Sequence, residues 1–100
     1  MARKIILSKL AREERKRILE YWNEQNQSKT YSIKLNKQLS SALKLIASFP
    51  QIGRQTDDKS ARVKIVSHYL IIYEIRENDI YVLTFWDNRR NPEDLKDLIG

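Results

Sequence analysis

The chain has no cysteine, two glycines, two prolines and one histidine in its 100 residues. Without cysteine there is no disulfide framework and no thiolate metal site, and a reducing cytoplasm is the expected compartment. Glycine stands only at Gly53 and Gly100, which excludes a Gly-rich phosphate loop. With His68 as the sole imidazole and no carboxylates at metal-ligand spacing, neither a metal centre nor a cofactor is expected. His68 itself falls in a turn, where a lone histidine is ordinarily structural or solvated, and nothing around Ser67-His68 resembles a hydrolase triad. Long hydrophobic runs are missing as well. No segment approaches the ~20 apolar residues of a membrane span, so no membrane association is expected. The start, MARKIILSKLAREERKR, has only three consecutive apolar residues before it turns basic, which argues against a signal peptide.

What is present describes an ordinary globular composition, 41% hydrophobic and 32% charged, with room for one domain over residues 1–100 and a modest core. The net charge of +6 is unevenly placed. Residues 1–50 carry eleven Lys/Arg against four Glu, hence +7, and residues 51–100 carry eight against nine, hence −1. Between Gln25 and Thr56 there is no acidic residue, while Lys29, Lys34, Lys37, Lys44 and Arg54 all lie there. Such a stretch is either a solvated face or a surface for a polyanion.

Hydrophobic periodicity gives the elements. Lys4 to Leu7 reads as a strand, and Ser8 as the N-cap of a helix along which Ala11, Ile18, Tyr21 and Trp22 recur at helical spacing. A polar turn spans Asn23 to Lys29. A second helix from about Ser28 carries the stripe Tyr31, Leu35, Leu39, Ala42, Leu43 and Ile46, and closes an antiparallel hairpin. Phe49-Pro50 ends it, because the residue before proline is pushed out of the α region, and Gln55 to Lys59 reads as a polar loop. The period then shortens. Arg62–Val66, Tyr69–Ile75 and Ile80–Trp86 read as three strands of an antiparallel meander, turning at Ser67-His68 and Glu77-Asn78-Asp79. The unbroken apolar run Leu70–Ile72 suits a central strand covered on both faces. Pro92, with Glu93 and Asp94 behind it, opens a short final helix. The expected fold is α+β: an N-terminal short strand and a two-helix hairpin packed on a small, mainly antiparallel sheet, with a short C-terminal helix.

The candidate chemistry lies in cations and aromatics. Arg62 and Lys64 share one strand face, and Arg89 and Arg90 leave the end of the last strand. If that end adjoins the strand of Arg62 and Lys64, the cations converge on a surface suited to phosphate; otherwise the arginines pair with Asp87, Glu93 or Asp94 as local surface bridges. Lys34, Lys37 and Arg54 are candidates for RNA contacts, and Tyr69 is a candidate for stacking on a base. Tyr73 and Trp86 are expected in the core. The helical hairpin is expected to present Leu10, Leu19, Tyr31 and Leu43 as apolar surface for a partner.

Three segments, "FPQIGR", "ARVKIVSHYLIIYEI" and "DIYVLTFWDNRRNPEDL", match in order and spacing the turn, paired strands and basic terminal segment of the RelE/ParE superfamily. The whole chain resembles these toxins of type II toxin–antitoxin systems. The resemblance implies a bacterial cytoplasmic toxin neutralised by a cognate antitoxin, expected to be acidic, in a hetero-oligomer with it or as a homodimer. It implies two principal activities. RelE-like members are metal-independent mRNA interferases that enter the ribosome and cleave mRNA by attack of the 2′-OH on the adjacent phosphate; ParE-like members bind DNA gyrase. Ribosome-dependent cleavage ranks first here, with gyrase inhibition and a non-catalytic, antitoxin-binding member as alternatives. Carried over residue by residue, Arg62, Lys64, Arg89 and Arg90 match the basic catalytic positions. The chain departs from the nuclease pattern in two places: it has no Tyr or His after Tyr81, and Leu70 stands where some nucleases carry a phosphate-binding arginine. Asp87 or Glu93 is the substitute acid or base.

Overall fold

The structure, a computed structural model of the chain, describes residues 2–26, 29–57 and 59–89. Strand β1 (Lys4–Leu7) leads into helix α1 (Lys9–Asn26), and helix α2 (Thr30–Ser48) returns antiparallel to it. A 3-10 turn, Pro50–Ile52, connects to β2 (Arg54–Gln55), β3 (Arg62–Val66), β4 (Tyr69–Arg76) and β5 (Asp79–Asp87). The expected α+β order is therefore found. The proposed C-terminal helix from Pro92 lies outside the described residues.

Ser8 caps α1 as expected: the Ala11 N–H donates to its Oγ at 2.9 Å. The same hydroxyl donates to the Leu83 carbonyl at 2.7 Å, while the Ser8 N–H reaches the Val82 carbonyl at 2.9 Å. This contact uses a bulge. Ile72 pairs with Thr84 and Tyr73 with Val82, so Leu83 is the extra residue of β5. One side chain thus joins the first helix to the last strand.

The sheet runs β1-β5-β4-β3-β2. β3, β4 and β5 form the antiparallel meander, and β1 closes the far edge parallel to β5, with Lys4 beside Asp79 and Leu7 beside Val82. On the helix side, Tyr69, Ile71, Tyr73, Ile80, Val82 and Phe85 meet Ala11, Ile18, Leu35, Leu39 and Ile46. Burying each large side chain in such a cluster contributes about 1.5–3 kcal/mol. A smaller cluster on the opposite face joins Ile72 and Trp86 to Ala61, Val63, Leu70 and Leu83. Ile71 and Ile72 are both fully buried, so β4 is covered on both faces as its unbroken apolar run indicates.

Several details differ from expectation. α1 continues through Asn26, so the interhelical turn is shorter than Asn23–Lys29. Gln55 belongs to an edge strand rather than to the polar loop. Tyr21 is exposed, and Leu43, expected as partner-facing surface, belongs to the core, with Leu19 and Tyr31 half-buried against it. Of that expected apolar set only Leu10 is exposed. With so little glycine, the turns put other residues in the left-handed region: Ser67 at φ 57°, Glu77 at φ 43° and Lys59 at φ 62°.

The turn after α2 is pinned to the sheet by one side chain. The Tyr73 hydroxyl donates to the Pro50 carbonyl at 2.7 Å and accepts the Gly53 N–H at 2.9 Å. Burial pushes the Tyr73 hydroxyl's pKa upward, which keeps it a donor at neutral pH. Tyr73→Phe keeps the ring and removes both bonds, leaving the buried Gly53 N–H without its partner. The expected loss is about 2 kcal/mol, seen as a lower urea midpoint at constant slope. An unchanged midpoint would show that the hydroxyl is dispensable.

Candidate functional site

Among the described residues, the cations of β3 do not meet Arg89 at the end of β5. β4 lies between β3 and β5, and Arg62 stands opposite Tyr73 whereas Asp87, just before Arg89, stands opposite Tyr69. That offset of four residues is about 13 Å along the strands, with two strand spacings of about 4.8 Å each across them. The expected convergence required β5 to adjoin β3, and it does not.

Each described arginine of the set also has its own local partner. Arg62 Nη1 donates to the Gly53 carbonyl at 2.7 Å and the Gln51 carbonyl at 3.2 Å, so its guanidinium fastens the same turn that Tyr73 holds. Arg89 pairs with Asp87 through two side-chain contacts, Nε to Oδ1 at 3.0 Å and Nη2 to Oδ2 at 2.7 Å. Its backbone N–H also donates to Oδ1 at 2.9 Å. Arg89 holds the Asp87 carboxyl below its ordinary value of 3.8, chiefly through the hydrogen bond, and Asp87 raises the arginine in return. A carboxylate so stabilised is a weak proton acceptor at neutral pH. Lys64 stands half-buried on the helix-facing side of β3, opposite Ile71. Arg90 and Glu93 lie outside the described residues.

Tyr69 is 2% exposed, which removes its ring from any stacking role. Its hydroxyl accepts Trp22 Nε1 at 2.6 Å, and Trp22 packs on Tyr31 with ring centroids 4.7 Å apart. Burial is the main cause of its raised pKa, so the hydroxyl stays protonated at neutral pH. Tyr73 and Trp86 are core residues, as expected. His68 is exposed in its turn. Lys34 and Lys37 are exposed on α2 and Arg54 is exposed on the edge strand β2.

Between α1 and the end of β5 lies a cleft of about 340 Å³, lined by Arg17, Tyr21, Tyr69, Asp87 and Arg89 among others. Its cations are already matched: Arg17 pairs with Glu14 at 2.9 Å, and Arg89 with Asp87 at 2.7 Å. Arg15 is a structural residue outside the sequence-derived set. It occupies the fourth position after Ala11, on the buried stripe of α1, and that position was the available signal. Its Nη2 donates to Asn36 Oδ1 at 2.6 Å and Ser40 Oγ at 2.8 Å on α2, and its guanidinium lies 5.9 Å from the Phe85 ring. Burial lowers its pKa, and neutral partners accept from its Nε and Nη2. Among the described residues no cluster of His, Asp and Glu could hold a metal ion, and no helix is long and apolar enough to cross a membrane.

The model of the ParE toxin of type II toxin–antitoxin systems, parDE, matches residues 5–92. The chain belongs to the ParE toxin family. A chain of the chromosomal ParDE TA system from P. aeruginosa has the same fold at TM-score 0.74 and 10% identity, with 86% of this chain and 96% of that one covered. No curated protein matches the chain. The ParE-family toxin described here therefore has an antitoxin as its family partner.

Two measurements test these local assignments. Arg62→Ala removes a charged donor from two backbone carbonyls, and an effect of about 1 kcal/mol is expected after allowing for solvent exposure. That corresponds to a melting point lower by about 4–8 °C. A variant that melts with the wild type would leave Arg62 without a structural role. For Asp87, the lowered folded-state pKa makes its contribution to stability full above the ordinary carboxylate range and lost as pH falls through the folded value. Stability curves of wild type and Asp87→Asn should therefore differ at pH 7 and converge at acid pH. A difference that stays constant down to pH 2 would overturn the ion-pair assignment.

Proposed function

We propose that this toxin acts by binding DNA gyrase rather than by cutting mRNA, which reverses the order of the two activities implied by sequence resemblance. The observation that carries the proposal is the separate engagement of the described arginines: Arg62 on backbone carbonyls, Arg89 on Asp87. Cleavage by 2′-OH attack asks for cations gathered on one phosphate and a base to take a proton. Here the sheet order separates the cations, Asp87 is held ionised as a weak base, and Tyr69 is buried with its proton. Inhibition by binding asks only for a stable surface, which this scaffold supplies. The family match to ParE toxins agrees with this reading. The partner that neutralises the toxin is an antitoxin segment with acidic character, attracted by the surplus of +7 on the first half of the chain.

The test uses purified toxin in two assays side by side. Supercoiling by purified gyrase should be inhibited, with accumulation of cleaved DNA, while toeprints on translating ribosomes should show no toxin-dependent cuts. Cuts in mRNA with gyrase unaffected would overturn the proposal and restore the nuclease reading.

A further inference from the structure

The outer face of α2 takes no part in the site described above. Its inner stripe, Leu35, Leu39, Ala42, Leu43 and Ile46, is buried in the core. The outer positions Lys34, Lys37, Gln38, Ser41 and Lys44 are all exposed. At a rise of 1.5 Å and a turn of about 100° per residue, the three lysines lie within about 80° of arc and about 15 Å of helix axis. No acidic residue occurs anywhere in α2, nor between Gln25 and Thr56. The four ion pairs among the described residues draw on Lys16, Arg17, Arg76 and Arg89, and none draws on α2. The face also holds a shallow depression of about 610 Å³ bounded by Ile33, Lys34, Lys37 and Ser41.

We propose that this face docks on the sugar–phosphate backbone of duplex DNA. Charge complementarity names a polyanion, and the neighbouring side chains define which kind. Between the lysines stand Gln38 and Ser41, residue types that donate to phosphate oxygens. An acidic amphipathic protein segment needs apolar anchors, and this face offers only Ile33 and Leu45, twelve residues apart. Three exposed apolar side chains, Phe49, Ile52 and Ile75, gather instead around a separate cavity. A single strand needs aromatic platforms for its bases, and the outer positions of α2 hold none; Tyr31 is half-buried on Trp22. A row of cations on a straight helix suits a stiff, evenly charged duplex. The choice of DNA over duplex RNA rests on the gyrase reading, whose target works on DNA; the charge pattern does not depend on it.

Binding of the full-length toxin to a 30-base-pair duplex, followed by fluorescence anisotropy across a salt series, tests the proposal without gyrase present. The comparison is the K34Q/K37Q/K44Q variant, whose changes are exposed and keep a good helix former at each position. Three phosphate contacts contribute about 2.7 to the slope of log K against log salt, so the wild type should have the steeper dependence by that amount. Between 50 and 200 mM salt it should lose about 40-fold more affinity than the variant. Thermal unfolding of the two proteins should coincide. Equal affinity and equal slope in wild type and variant would overturn the proposal. So would tighter binding of wild type to poly-glutamate, or to a duplex RNA of the same length. A toxin that binds DNA through these lysines and leaves gyrase untouched would sink the gyrase reading alone.

Discussion

The hydroxyl of Tyr73 is the point where the helical layer, the connecting turn and the sheet are fixed to one another. It sits on the middle strand, fully buried, and closes on the Pro50 carbonyl and the Gly53 N–H. Gly53 has φ −74° and ψ 151°, a conformation open to any residue. Glycine is needed there for space: a Cβ would lie 2.4 Å from the Tyr73 oxygen. Arg62 then fastens the same turn from β3 by its bonds to Gly53 and Gln51. The segments "FPQIGR", "ARVK" and "YEI", scattered along the chain, are in this sense one object. Removing the hydroxyl loosens the turn that directs α2 onto the sheet and places β2 at its edge.

That arrangement has a consequence for charge. An arginine whose donors satisfy backbone carbonyls is committed to the fold, and its presence says little about substrate. Arg62 is such a residue, and Arg15 is likewise committed through side chains, its Nε and Nη2 donating to Asn36 and Ser40 across the helical hairpin. Arg89 is held by the neighbouring Asp87. The lysines of α2 are different, being exposed and lying in a stretch of chain without a carboxylate. Lysine suits that situation, since its flexible stem and compact charge follow a polyanion without demanding one geometry. Counting basic residues along the sequence merges these two populations; the hydrogen-bond partners separate them.

The elements were legible wherever periodicity was strong. The α2 stripe, the cap at Ser8 and the meander of three strands all follow from spacing that packing then reinforces. β2 was not legible, because two residues carry no pattern and only the partner strand makes them a strand. The parallel pairing of β1 with β5 was not legible either: it joins the two ends of the sequence, and local chemistry does not encode it. The convergence of Arg89 with the cations of β3 was not legible for the same reason, since it depended on which strand lies beside which. The burial of Tyr69 is not legible, because a tyrosine in a strand reads the same whether its ring is a platform or a core residue. Arg15 is legible, since a charged residue on a buried helical stripe asks what satisfies it.

A fold of this kind hosts different activities because its stability and its target recognition are carried by different atoms. Here the stabilising set is internal: Tyr73, Gly53, Arg62, Ser8, the Trp22–Tyr69 bond and the two apolar clusters. None of these needs a solvent-facing side chain of a particular type. The exposed side chains on the outer face of α2, Arg17 and Arg89 at the cleft mouth, and Phe49 and Ile52 at the apolar edge can change without disturbing that set. Two proteins with 10% identity can therefore share this scaffold at TM-score 0.74. Fold likeness constrains the internal set and leaves the target to the surface. Among the described residues, the three exposed lysines of α2 carry unpaired charge while Arg62 and Arg89 bond to groups of their own chain, so the charge open to a target and the charge spent on the fold sit on different elements.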